Sequence, residues 1–205
     1  MPADDFFNAL ILVQNWGNSV ELEKIMNNNK HIISLYHMMG EASYLLDTNF
    51  DDKNQLSEFI NHLKGYKLEG NVPAVIKLQT QKIIDIHKQK SNFTLRDYIN
   101  DKRHFHFFTY VDNTGSDDEV INFASENENI YSVLHIQGPH SFVMEIMTSD
   151  YNSYKTILSK MKQLKSVKQI ITQEVIKVIK YRNQAIDEMG SLIYPLNDIR
   201  EMFTI

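Results

Sequence analysis

The same residue pattern occurs twice in this chain, 98 positions apart, and any fold it adopts has to house two copies of one unit. Laying residues 7–67 on 105–165 without a gap gives 15 identities in 61 positions. They include Val13/Val111, Asn15/Asn113, Gly17/Gly115, Ser34/Ser132, His37/His135, Gly40/Gly138, Ser43/Ser141 and Asp52/Asp150. Substituted pairs keep their character, as in Tyr44/Phe142, Leu45/Val143 and Asp47/Glu145. An ungapped repeat of this length reads as one structural unit duplicated and fused.

Each copy reads strand, helix, strand, strand, helix, strand. In the first, residues 6–14 form an apolar strand, and Leu22, Ile25 and Met26 give residues 20–27 a helical stripe. Strands at 31–39 and 44–50 flank a tight turn holding Gly40, a residue free to adopt positive φ. Asp51-Asp52 opens a second helix with Leu56, Phe59, Ile60 and Leu63 at helical spacing, and 72–87 is the last strand. The second copy runs 104–112, 117–125, 130–137, 141–148, 153–164 and 167–182. Past Lys67 the spacing drops to 95, matching Val72 with Val167 and Lys82 with Lys177, so the first copy carries three extra residues near 68–71.

Two such βαββαβ units predict an α+β fold of two tandem ferredoxin-like units. Phe7, Ala9, Ile11 and Val13 alternate with Asn8, Leu10 and Leu12, so the first strand is apolar on both faces. One face packs on helices, and the other needs a second sheet over it. The expected arrangement is therefore an internal pseudo-dimer with the two sheets facing each other. The domains are residues 1–88 and 104–183, joined by a polar connector at 89–103 with a short helix at 95–100. A tail at 184–205 has helical spacing at Ala185, Ile186, Met189 and Leu192.

Composition limits the partners. A net charge of −5 lacks the basic footprint of a nucleic-acid binder, so no direct DNA contact is expected. No apolar run approaches the roughly 20 residues of a membrane span. The absence of cysteine removes disulfides and thiolate chemistry and suits a cytoplasmic address. No P-loop, Gly-x-Gly-x-x-Gly, His-Glu-x-x-His or nucleophile elbow occurs, and no cofactor is expected.

The stretch VLHIQGPHSFVMEIMTSDYNSYKTILSKMKQLKSVKQIITQEVIKVIKY resembles the RAM domain, the effector-binding and oligomerisation domain of Lrp/AsnC regulators. Its phrases are Gly138-Pro139-His140-Ser141, then Leu164-Lys165-Ser166-Val167, then a long β-branched strand ending in basic residues. The first copy has the weaker Gly40-Glu41-Ala42-Ser43. The outline is shared with other βαββαβ domains, ACT domains included. Two departures stand out: no helix-turn-helix precedes the unit, and the hairpin Asp of the family is Ser43 in one copy and Ser141 in the other. The resemblance implies a non-enzymatic regulatory module that forms homo-oligomers. Its partner would be a small effector, such as an amino acid, or another Lrp/AsnC-type protein. It implies ligand contacts at Gly40, Glu41, Ser43, Gly138, His140 and Ser141.

The residues leave alternatives open. An enzyme of the dimeric α+β-barrel kind could enclose a small metabolite, with His37, Asp47, His135 and Glu145 as acids and bases; a purely structural assembly domain is a third reading. Asp47 and Glu145 fall on the strand face opposite Tyr44, Leu46, Phe142 and Met144, where facing carboxylates suit acid–base chemistry. His104 and His106 alternate along one strand and could chelate a metal, or could simply be packed. The enzyme reading requires a deep pocket with converging titratable groups, and the sensor reading a shallow cleft at the hairpins.

Overall fold

The first half forms β1 (Phe7–Asn15), α1 (Val20–Asn27), β2 (Ile32–Met39), β3 (Tyr44–Phe50), α2 (Lys53–Gly65) and β4 (Val75–Gln89). A short helix, α3 (Leu95–Asn100), lies in the connector. The second half forms β5 (Phe105–Asn113), α4 (Asp117–Glu126), β6 (Ile130–Gln137), β7 (Phe142–Thr148), α5 (Tyr151–Met161) and β8 (Val167–Tyr181). These elements come from a computed structural model that describes residues 7–16, 20–90, 93–100, 105–186 and 192–193. Helix starts are set locally. The Asp52 carboxylate accepts from the backbone N–H groups of Asn54 and Gln55, and the Asp150 carboxylate accepts from Ser153, each satisfying amides the first turn leaves open.

Within each half the strand order is the same: β2-β3-β1-β4 in the first and β6-β7-β5-β8 in the second, all antiparallel. The halves then join edge to edge. β4 pairs with β6 and β2 pairs with β8, so the eight strands close into a ring. Two separate sheets packed face to face were expected; a single closed sheet is found instead. Closure leaves no free edge among these eight strands. It also explains the doubly apolar strands, since each has one face toward the helices and one toward the barrel interior.

Three cores follow. Ile11, Val13, Leu46 and Phe50 pack under α1 and α2, and Val111, Phe142, Met144 and Ile146 pack under α4 and α5. Between them, inside the barrel, lie Leu10, Tyr36, Leu45, Phe108, Tyr110, Val143, Val175 and Tyr181, drawn from both halves.

Two sequence expectations change. Val13 faces Leu78 and Val111 faces Ile170, so the last strands correspond at a spacing of 92 (170 minus 78), not 95. The first copy thus has six extra residues relative to the spacing of 98, and they include the single 3-10 turn at Glu69–Asn71. The described part of the tail is extended rather than helical: β9 (Gln184–Ile186) folds back on β8, and β10 (Leu192–Ile193) pairs with β9. Arg182 and Asn183 make the reversal with φ of 48° and 64°, the paired positive values of a two-residue hairpin turn.

Leu45 is fully buried in the interior core shared by both halves. Leu45→Ala should cost about 2–5 kcal/mol in chemical denaturation while leaving one cooperative transition. Two resolved transitions would mean that the halves fold independently.

Candidate active site inside the barrel

One end of the barrel holds a cavity of about 380 Å³, with residues from all eight ring strands in its wall. Alternation along the strands decides which side chains enter it. On β3, Tyr44 and Leu46 point outward to the helices, so Asp47 turns inward; on β7, Phe142 and Met144 point outward and Glu145 turns inward. Ser34 stands opposite Asp47 across the β2–β3 pairing, and Ser132 stands opposite Glu145 across β6–β7. Ser132 donates to Glu145 Oε2 at 3.4 Å. Asn8, Asn49, Gln89, Tyr36, Tyr181 and Arg182 complete the polar wall.

The connector covers this end. Phe93 packs against Tyr131 and Tyr181, and Tyr98 stacks on Tyr181 and leans on His106. Arg182 Nη1 donates to the Phe93 carbonyl at 2.9 Å, and the Arg182 amide donates to Ser34 Oγ at 3.1 Å. Thr94 and Asp97 form a reciprocal cap that starts α3 at this spot.

Several buried polar atoms here have no hydrogen bond. Glu145 is 5% exposed, and its Oε1 lies 3.0 Å from His106 Nε2 at ion-pair distance but outside hydrogen-bond alignment. Neither ring nitrogen of His106, which is 1% exposed, makes a hydrogen bond, and neither does the buried Tyr181 hydroxyl. Burial pushes the Asp47 carboxyl up to about 7, with the nearby Glu145 charge adding to the rise and Arg182 and the Thr48 amide opposing it. Burial, then the Glu145 charge, also raises Tyr36 and Tyr181, so both remain phenols, able to donate.

Of the acids and bases named from sequence, Asp47 and Glu145 come together in this cavity. His37 and His135 do not. They lie on the outer side of the sheet, His37 stacked on Tyr44 and His135 against Phe142 and His87. The hairpin residues sit at the opposite end of the barrel from Asp47. Ser43 Oγ and Ser141 Oγ accept from the amides of Asn15 and Asn113, fastening each hairpin to the end of β1 or β5. Gly40 has a φ of 148° and Gln173 Cγ lies 3.1 Å from where a side chain would begin, which explains the glycine without a ligand. Gly138 stands above Gln81 in the other half; Glu41 borders a small cavity of about 30 Å³, and His140 Nδ1 pairs with Asp112 at 2.6 Å. His104 falls outside the described residues. His106 faces Glu145, and no group of three metal-ligating side chains exists among the described residues.

Sequence reasoning missed Tyr36, Tyr181 and Arg182. Ser34 and Ser132 were visible as repeat identities, but the bulges that turn Tyr181 and Arg182 into the cavity are not legible locally.

No protein-family model matches the chain, and no curated protein matches it in sequence. Among solved structures it is similar to the siroheme decarboxylase NirDL, at a TM-score of 0.62 and 7% identity over 86% of this chain and 73% of that one. It is also similar to a mutant chlorite dismutase from Candidatus Nitrospira defluvii, at a TM-score of 0.50 and 11% identity over 97% and 94%. A transcriptional regulator from Neisseria meningitidis, solved as its L-Met complex, overlaps at a TM-score of only 0.39, with 16% identity over 54% and 68%. The chain therefore has the mixed α+β fold, with an antiparallel sheet, seen in these enzymes. That likeness overturns the expectation of a non-enzymatic Lrp/AsnC-type regulator, since the structures that share the fold over most of this chain are enzymes. No helix among the described residues is long and apolar enough to cross a membrane.

A carboxyl group raised on folding binds its proton more tightly in the native state than in the unfolded chain. Asp47 therefore lowers stability progressively as pH rises from its unfolded value of 3.8 through about 7, and the loss is complete above that. Asp47→Asn should stabilise the protein by a few kcal/mol at about pH 8 and by little near pH 4, read from denaturant midpoints at each pH. Equal effects at both would refute the raised value.

Proposed function

We propose that this protein is a small enzyme of the dimeric α+β-barrel type, folded from two ferredoxin-like copies within one chain, that performs acid–base chemistry on a small metabolite inside the barrel. The observation that carries this reading is the meeting of Asp47 and Glu145 in one interior cavity. Two carboxylates in a shared low-dielectric space cannot both ionise without cost, so their protonation states separate. Asp47, raised to about 7, is poised to give or take a proton near neutral pH, which is where general acid–base catalysis is most effective. Burial is the main cause of that rise and the neighbouring Glu145 charge adds to it, with His106 Nε2 lying 3.0 Å from Glu145 Oε1. The Tyr181 hydroxyl, buried and without a partner, is positioned to donate to an oxygen on which negative charge develops.

The name of the similar siroheme decarboxylase points to a haem-type tetrapyrrole, and the residues here do not fit one. Such groups carry carboxylate side chains, whereas this wall presents two carboxylates against one guanidinium. No imidazole lines the cavity among the described residues, since His106 lies behind Glu145 under the rings of Tyr36, Tyr98 and Phe108. Tyr36 and Tyr181 are held as phenols, which disfavours them as iron-bound phenolates. The proposed chemistry is therefore proton transfer by the protein's own side chains.

The test is solvent-deuterium incorporation into a panel of small carbonyl, hydroxy and amino metabolites, followed by mass spectrometry. A compound that wild type labels should be labelled roughly 100-fold or more slowly by Asp47→Asn. Turnover that survives both Asp47→Asn and Glu145→Gln would place the chemistry elsewhere.

A further inference from the structure

We infer that the cavity takes a small organic monocation, such as a primary amine with an apolar body, whose ammonium group sits between Asp47 and Glu145. This inference rests on the acid–base reading of the same cavity and names its substrate class.

Charge balance comes first. The charged groups in the wall are Asp47 from β3, Glu145 from β7 and Arg182 just after β8. With both carboxylates ionised, and with His106 of β5 neutral behind Glu145 at 3.0 Å from its Oε1, the site sums to one negative charge, which a single ammonium cancels. The other wall groups facing Asp47 are neutral: Asn8 from β1, Ser34 and Tyr36 from β2, Gln89 from β4, Ser132 from β6 and Tyr181 from β8.

An acidic pair alone does not make a site. The Tyr181 hydroxyl, however, belongs to a side chain 1% exposed, lines the cavity and has no hydrogen bond, while Glu145 Oε1 meets His106 only at ion-pair distance, outside hydrogen-bond alignment. Buried polar atoms in that condition are costly unless a partner arrives to satisfy them. An ammonium supplies three donors and a compensating charge. The remaining wall is suited to the rest of such a molecule. Tyr36, Phe108 and Tyr181 offer aromatic faces, and Leu10, Ile83 and Leu134 offer aliphatic ones, a mixture that holds a cation through ring quadrupoles and its body through burial. An organic anion would meet the two carboxylates directly.

The proton inventory links binding to pH. An ammonium favours ionised Asp47, so cation binding near neutrality expels the Asp47 proton. Affinity should fall as pH drops below about 7, because protonated Asp47 leaves Glu145 balanced by Arg182.

The experiment uses the full chain and three matched probes: phenethylammonium, phenethyl alcohol and 3-phenylpropanoate. Binding is followed by ligand-observed NMR and calorimetry. The ammonium probe should bind at about pH 8 at least tenfold more tightly than either other probe, and should weaken about tenfold or more by pH 5.5. Its heat should depend on the buffer's ionisation enthalpy near pH 7, reporting proton release. Glu145→Gln should weaken it by about tenfold or more, with circular dichroism showing that the variant folds. Equal or tighter binding of the alcohol or the carboxylate to wild type would overturn the inference without recourse to any variant. If no probe binds while Asp47→Asn still stabilises the protein at high pH, the cation assignment falls and the acid–base reading stands. If that stabilisation is also absent, both fall.

Discussion

The rest of the structure depends on the two seams where the halves meet. Backbone pairing of β4 with β6 and of β2 with β8 converts two curved four-stranded sheets into a ring. Each seam contains bulges at corresponding places. The pairing skips Ile84 and His87 on β4 and Ile176 and Ile179 on β8, equivalent residues at the spacing of 92. Bulges add twist and bend the strand that carries them, which lets a sheet close instead of splaying. They also expose Ile84 and Ile176, side chains that neither the helix layers nor the interior can take up.

Closure creates the enclosed cavity on which the proposed chemistry rests. Inward-facing residues that would be half-solvated on an open sheet are enclosed together, and the enclosed set is mixed. Most of the interior is apolar and packs as one core, while one end collects Asp47, Glu145, Arg182 and the buried Tyr181 hydroxyl. The high Asp47 value is a consequence of this enclosure, since burial is its largest cause and the Glu145 charge its second. The connector strengthens the effect by laying Phe93 and Tyr98 across the same end.

Much of this was legible in the sequence. Alternation along strands placed Asp47 and Glu145 opposite Tyr44, Leu46, Phe142 and Met144, and the side chains are found that way. The same rule also turns His37 outward, since its neighbours Tyr36 and Met38 are interior. The lengths of the last strands were readable but their register was not, because bulges break the period of two and the six-residue insertion precedes β4. Edge-to-edge closure was not readable either: it depends on long-range backbone pairing, which leaves no periodic mark. Tyr181 and Arg182 enter the site only after two bulges have rotated β8, so no local pattern names them. The resemblance to RAM domains followed the outline of one unit. The site belongs to the closed ring of two.

The most direct measurement is a carbon-13 NMR titration of the Asp47 side-chain carboxyl in the intact protein, assigned by comparison with Asp47→Asn. The expected midpoint is about 7, falling toward the ordinary carboxylate range in Glu145→Gln because a neighbouring negative charge has been removed. A wild-type midpoint near 4, unchanged by that substitution, would contradict the enclosed, coupled carboxylate pair on which the functional reading rests.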